Sequence, residues 1–185
     1  MKQILKRIRN RISGKSQLDR EMEYLVAHGL RVGENFSSYS DHPFDSNWPW
    51  LISVGNNVLL SSNVKILAHD ASTCYSNSCT RIGLVSIGDD VFVGANSTIL
   101  CNVKIGNNVI IGAGSVVSKN IPDNCVAAGN PAQVICTMEE YREKHAHSQE
   151  RKKDFSKHKW DQWINAGPAD WEEMRAELEK GPGYV

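Results

Sequence analysis

His69, in the segment ILAHDAST, is the side chain of this sequence best matched to taking a proton near neutral pH. A neutral imidazole still has a free lone pair there and accepts a proton at little cost, so it suits the deprotonation of an attacking hydroxyl. His69 ends an aliphatic run and stands at the mouth of a loop, Ser72 to Ser86, with the sequence STCYSNSCTRIGLVS. An earlier polar and aromatic stretch, SSYSDHPFDSNWPWL from Ser37 to Leu51, supplies further carboxylates. These are Asp41 and Asp45. Asp70 follows His69 directly, but neighbours on an extended strand point to opposite faces, so its carboxylate is expected to cap the loop. Cys74 and Cys79 flank the same loop. A covalent role for either would need a second base beside it, and the sequence offers none.

The elements that must position these residues are written in a six-residue period. From Ile87 the chain runs IGDDVF, VGANST, ILCNVK, IGNNVI, IGAGSV, VSKNIP without a residue gained or lost. Each hexad opens on Ile87, Val93, Ile99, Ile105, Ile111 or Val117, and a smaller or branched side chain follows four positions on (Val91, Ser97, Val103, Val109, Ser115, Ile121). Neither a helical period nor plain alternation accounts for this, whereas a solenoid of short strands does. Gly and Asn at fixed offsets form the corners, where the backbone must take conformations costly for other residues. Three hexads make one lap of a triangular coil. An earlier lap reads VGNNVL, LSSNVK, ILAHDA from Val54, and VGENFS at Val32 starts another. A solenoid has no pocket of its own, so the two interruptions, 37–51 and 72–86, are where a site is expected.

These hexads, and above all the closing segment IGAGSVVSKNIPDNCVAAGNPAQVI, resemble the hexapeptide-repeat acyltransferase family, nearest its maltose and galactoside O-acetyltransferase branch and the enzymes that decorate surface polysaccharides. The resemblance covers most of Leu18 to Cys136. It implies an all-β core, a left-handed parallel β-helix, with an N-terminal helical segment and C-terminal helices; the hand is an exception to the usual right-handed crossover. It further implies an acetyltransferase using acetyl-CoA as acyl donor, a sugar or polysaccharide precursor as acceptor, and direct transfer in a ternary complex with His69 as general base. No metal is implied. The acceptor subsite would draw first on Asp41, to bind the acceptor or fix the ring of His69, then on Asp45, and on Phe92, which stands where the sugar branch has Trp. Trp48 and Trp50 could stack on a sugar face, although core or subunit packing is the commoner use of such aromatics. The pantetheine arm would run along Ala95, Ala113 and Ser118, with Lys119 on a nucleotide phosphate and Gln133 in the closing motif. Gln133 and Cys136 depart from the family, which usually carries basic residues at those places. The donor groove implied is shared between subunits, hence a homotrimer.

The 185 residues divide into 1–29, a helical segment; 30–136, the β-helix catalytic domain; and 137–185, a helical extension that includes TMEEYREKHAH and WEEMRAELEK. In the first part Leu18, Met22, Leu25 and Val26 lie at helical spacing and Gly29 is a stop signal. Residues 1–12 form a short basic amphipathic piece, read as a packing helix or a weak membrane-surface contact. With 21 basic and 21 acidic residues the formal charge is zero, which gives no reason to expect a nucleic-acid partner. Neither a signal peptide nor a membrane span is evident, so a cytoplasmic protein with reduced thiols is expected. Competing readings are N-acetylation of an amino sugar, acetylation of serine or an antibiotic, and a coil that has lost catalysis. A zinc enzyme with three histidine ligands is disfavoured, because the other histidines lie outside the complete coils.

Overall fold

The computed structural model describes residues 17–150 and 167–179. The repeat folds as three parallel sheets that the chain visits in turn. The first contains Arg31–Val32, Ile52–Val54, Val85–Ile87 and Val103–Ile105. The second contains Ser37–Ser38, Leu59–Leu60, Val91–Val93, Val109–Ile111 and Cys125–Gly129, and the third Lys65–Ile66, Thr98–Ile99 and Val116–Val117. All six hexad-opening residues point inward, each 2% exposed or less, and the six at the fourth place after them are buried too. Two inward positions per hexad explain why the period is six rather than two: a strand supplies the pair and the corner absorbs the remainder. Burying a Val or Ile contributes about 1.5–3 kcal/mol, and the stack repeats that gain on every lap.

Corners are tied lap to lap. Asn35, Asn57, Asp90, Asn108 and Asn124 all take left-handed backbone angles at the turn between the first and second sheets. Beside them, the Asn107 carboxamide oxygen accepts from the Asp89 N–H at 2.8 Å and the Asp123 carboxylate from the Asn107 N–H at 2.6 Å. Gly88 is obligatory for a different reason: a Cβ there would lie 2.4 Å from Asn107 Oδ1 and 2.7 Å from the Gly106 carbonyl. The corner glycines thus set how closely successive laps approach.

Register gives the size of each interruption. Val85 pairs with Val103, 18 positions on, whereas Arg31 pairs with Ser53, 22 on, and Ile52 with Val85, 33 on. The first lap therefore holds four extra residues and the second fifteen. The first interruption is shorter than the sequence suggested: Ser37–Ser38 pair with Leu59–Leu60 and Phe44 bridges Ile66, so the coil continues to Phe44 and leaves it only over residues 45–51. The second ends before Val85, where the next strand has already begun. Both excursions occur at the same edge of the coil, between the third sheet and the first.

A helix at Gln17–Ala27 closes one end, with Leu25 fully buried and Val26 exposed, so of the four expected apolar contacts Val26 faces away from the core. Gly29 ends that helix with φ of +98° while the Leu30 N–H returns to the Leu25 carbonyl at 3.0 Å. At the other end Ala132–Thr137 folds back antiparallel on Cys125–Gly129. The C-terminal unit contains the rest of a helix at Met138–Glu150 and a helix at Pro168–Leu178, as the sequence indicated. The basic piece at 1–12 lies outside the described residues.

Candidate active site

Asp45 and His69 begin the two excursions at one edge, a lap apart, and so meet. The Asp45 N–H donates to the Ile66 carbonyl at 2.9 Å, continuing the coil's own ladder for one residue after Phe44. The chain then turns away, leaving the Asp45 side chain inside with 2% of its surface exposed. Its Oδ2 accepts from the Ala68 N–H at 3.0 Å and from Nδ1 of His69, and its Oδ1 from the Asn47 N–H at 3.1 Å. Three donors converge on one buried carboxylate, so its negative charge is compensated by fixed groups rather than by water. His69 is partly open, with 28% of its side chain exposed. With Asp45 accepting the Nδ1 proton, the lone pair is on Nε2, the arrangement of an oriented general base.

The long excursion keeps His69 in place. His69 and Asp70 pair antiparallel with Ile82 and Arg81, and the Gly83 N–H donates to the Ala68 carbonyl at 2.9 Å, so the loop leaves and returns as a two-stranded neck. Asp70 caps the turn beyond it, as its place on the strand suggested: Oδ1 accepts from the Ser72 hydroxyl at 2.6 Å and the Ser72 N–H at 3.0 Å. Those bonds, the hydroxyl's first, hold the Asp70 carboxyl below its ordinary 3.8, and the Arg81 guanidinium 3.7 Å away adds to the effect.

The other candidates divide among edges. Asp41 does not meet His69: it lies at the edge between the second and third sheets, where its carbonyl and that of His42 each accept from Lys65 Nζ at 2.9 Å. Asp45, ranked second from the sequence, is the residue that holds the imidazole. Ala95 and Ala113 stack at the Asp41 edge, joined by the Gly114 N–H to the Ala95 carbonyl at 2.7 Å. Phe92 is exposed on the outer face of the second sheet between Leu59 and Ile110. Ser118 and Lys119 are exposed at the His69 edge, two laps further along, and Gln133 is exposed on the returning strand opposite Ala128. One chain therefore does not gather Phe92, Ala95 and Ala113 at His69. Among the described residues no group of three His, Cys, Asp or Glu side chains is placed to hold a metal ion. Nor, among them, is any helix long and apolar enough to cross a membrane.

Comparison with known proteins bears on this arrangement. A family signature described as bacterial transferase hexapeptide (six repeats) matches residues 85–119. CapG of Staphylococcus aureus is 43% identical over 122 residues, covering 63% of this chain and 70% of CapG. The chain belongs to the hexapeptide-repeat acetyltransferase family. YvoF of Bacillus subtilis (strain 168) is 44% identical over 115 residues, 62% of this chain, and the match spans 64% of YvoF's own length. A solved galactoside acetyltransferase in complex with coenzyme A superposes with a TM-score of 0.54 at 25% identity, over 71% of this chain and 76% of that one. In this hexapeptide-repeat protein the signature falls on the two uninterrupted laps, while Asp45 and His69 lie before it, on the laps that carry the insertions.

Proposed function

We propose that this chain is an O-acetyltransferase that moves the acetyl group of acetyl-CoA to a hydroxyl of a sugar or polysaccharide precursor, with His69 as general base. The observation that carries the reading is the buried Asp45 carboxylate on Nδ1 of a half-open His69 at the edge where both insertions leave the coil. Nε2 takes the acceptor's proton as its oxygen forms a bond to the thioester carbonyl carbon. The tetrahedral adduct then collapses with cleavage of the carbon–sulfur bond, and the proton on Nε2 passes to the departing thiolate. Asp45 stabilises the imidazolium while it lasts. A cysteine nucleophile is not required.

The donor subsite has residues that fit coenzyme A. Ala95, Ala113 and Ser118 are small enough for a thin arm to approach the backbone, and a Cβ built at Gly114 would meet nothing within 4 Å, so that corner is open on its outer side. Lys119 would face a phosphate, and Gln133 would offer an amide where a cation is usual. Because these residues lie on different edges from one another, a donor site containing all of them and His69 takes its walls from two chains, which closed threefold symmetry supplies three times over. A homotrimer in the cytoplasm, drawing on acetyl-CoA, is the assembly this reading calls for. The solved galactoside acetyltransferase with coenzyme A supports both the donor and a sugar acceptor.

Release of thiol from acetyl-CoA over a panel of mono- and oligosaccharides tests the reading. Turnover with a sugar hydroxyl acceptor is expected. Turnover only with amino sugars, serine or an aminoglycoside would replace the acceptor class, and no turnover with any would remove the enzymatic reading.

A further inference from the structure

We propose that Cys74 and Cys79 form a reversible disulfide site in the turn beyond the neck of the loop that follows His69, oxidised by low-molecular-weight disulfides such as oxidised glutathione. Both thiols are exposed, whereas Cys101 and Cys125 are buried and Cys136 is half-buried. Cys74 opens one helical turn, Cys74–Asn77, and Cys79 follows Ser78, which reverses the turn with φ of +55° while its N–H returns to the Cys74 carbonyl at 3.2 Å. Two further contacts bring the ends together. The Thr73 hydroxyl donates to the Cys79 carbonyl at 2.5 Å, and Cys74 Sγ lies 3.1 Å from Thr80 Oγ1. Residues 73 and 74 thus already face 79 and 80, and the Cys74 sulfur rests against the residue next to Cys79. A disulfide needs Cα atoms about 4.4–6.8 Å apart, a span that a turn closed by these two contacts favours.

The exchange balances without any other reactant. One protein thiolate attacks a sulfur of oxidised glutathione, breaking its S–S bond and releasing one glutathione thiolate. The second protein thiolate then attacks the mixed disulfide and releases the other. Two electrons leave the protein thiols and two glutathione molecules are reduced, each taking a proton. The site is independent of acetyl transfer, yet the turn it would staple is the continuation of the neck that pairs Asp70 with Arg81 and His69 with Ile82.

The chain itself provides the test. Cleavage after Lys65 and Arg81 yields one peptide, Ile66 to Arg81, that holds Cys74 and Cys79 and no other cysteine. Full-length protein is exposed to oxidised glutathione under native conditions, its remaining thiols are blocked, and it is digested. The expected result is that peptide lighter by two hydrogen atoms, loss of two titratable thiols, and recovery of both with dithiothreitol. Cys74→Ser and Cys79→Ser should each instead carry one glutathione on the remaining thiol. Glutathione on both thiols of the unaltered protein without the closed peptide, or no modification of this peptide at all, would overturn the proposal.

Discussion

Replacing Asp45 by Asn removes a charge from beneath His69 while keeping the shape of the group, and the hydrogen bonds decide the size of the effect. Oδ2 of Asp45 accepts from both the Ala68 N–H and His69 Nδ1, whereas Oδ1 accepts only from the Asn47 N–H. An amide does best by turning its oxygen to the first pair and its NH2 toward Asn47, losing one bond instead of two. His69 then keeps its tautomer, and what is lost is the carboxylate's hold on the imidazolium. Hydrogen bonds to charged groups contribute about 1.5–3 kcal/mol and neutral ones about 0.5–1.5, so roughly 1–2 kcal/mol of transition-state stabilisation should go. That corresponds to a fall in kcat of about 5–30-fold. Asp45→Ala should cost more, because it strands the Ala68 N–H in a buried place, destabilising the fold by about 1–3 kcal/mol, and releases the ring. Asp41→Asn is the control, since Asp41 has no contact with His69 and should leave kcat where it is. Steady-state thiol release and a urea melt for the three variants measure both quantities. Unchanged kcat in Asp45→Asn with a slow Asp41→Asn would refute the assignment.

Ile99→Ala, in the fully buried stack of the third sheet, should destabilise by about 2–5 kcal/mol in urea unfolding. Gly88→Ala should lower the melting temperature more than Asn107→Ala. The first forces a Cβ to 2.4 Å from the Asn107 side chain, while the second gives up a bond of about 0.5–1.5 kcal/mol to the Asp89 N–H. Asp70 should titrate below 3.8 in carboxyl NMR. Its depressed native value means that the stability it supplies is present above the unfolded value and lost as pH falls through the native one, so Asp70→Asn and the parent should differ near neutrality and converge in acid. Sedimentation should give a trimer; an active monomer would remove the intersubunit donor site.

The coil was legible because each lap repeats its burial requirement in the same letters, from Ile87 to Ile121 without interruption. The first lap was harder to see. Val32, Ser38 and Phe44 keep the six-residue phase, but Ser38 is not aliphatic and Pro43 suggests a break, so a continuing strand read as loop. Counting sixes past Ser38 would have placed Phe44 inside and Asp45 as the first residue out. The same count places His69 just beyond Ile66, and the two residues share an edge for that reason alone. Asp41 lost to Asp45 because loop composition carries no information about which edge a carboxylate occupies, and only lap register does. Which candidate residues face the acceptor or the donor is likewise absent from a single chain's sequence, because Phe92, Ala95 and Ala113 occupy a sheet and an edge that do not reach His69.

The central claim, that His69 removes the acceptor's proton, is tested most directly by His69→Ala, with acetyl transfer and coenzyme A binding measured on the same preparation. The account predicts a fall in kcat of about 10²–10⁴-fold with coenzyme A affinity and thermal stability unchanged. A variant that still transfers acetyl groups at the parent rate would contradict it.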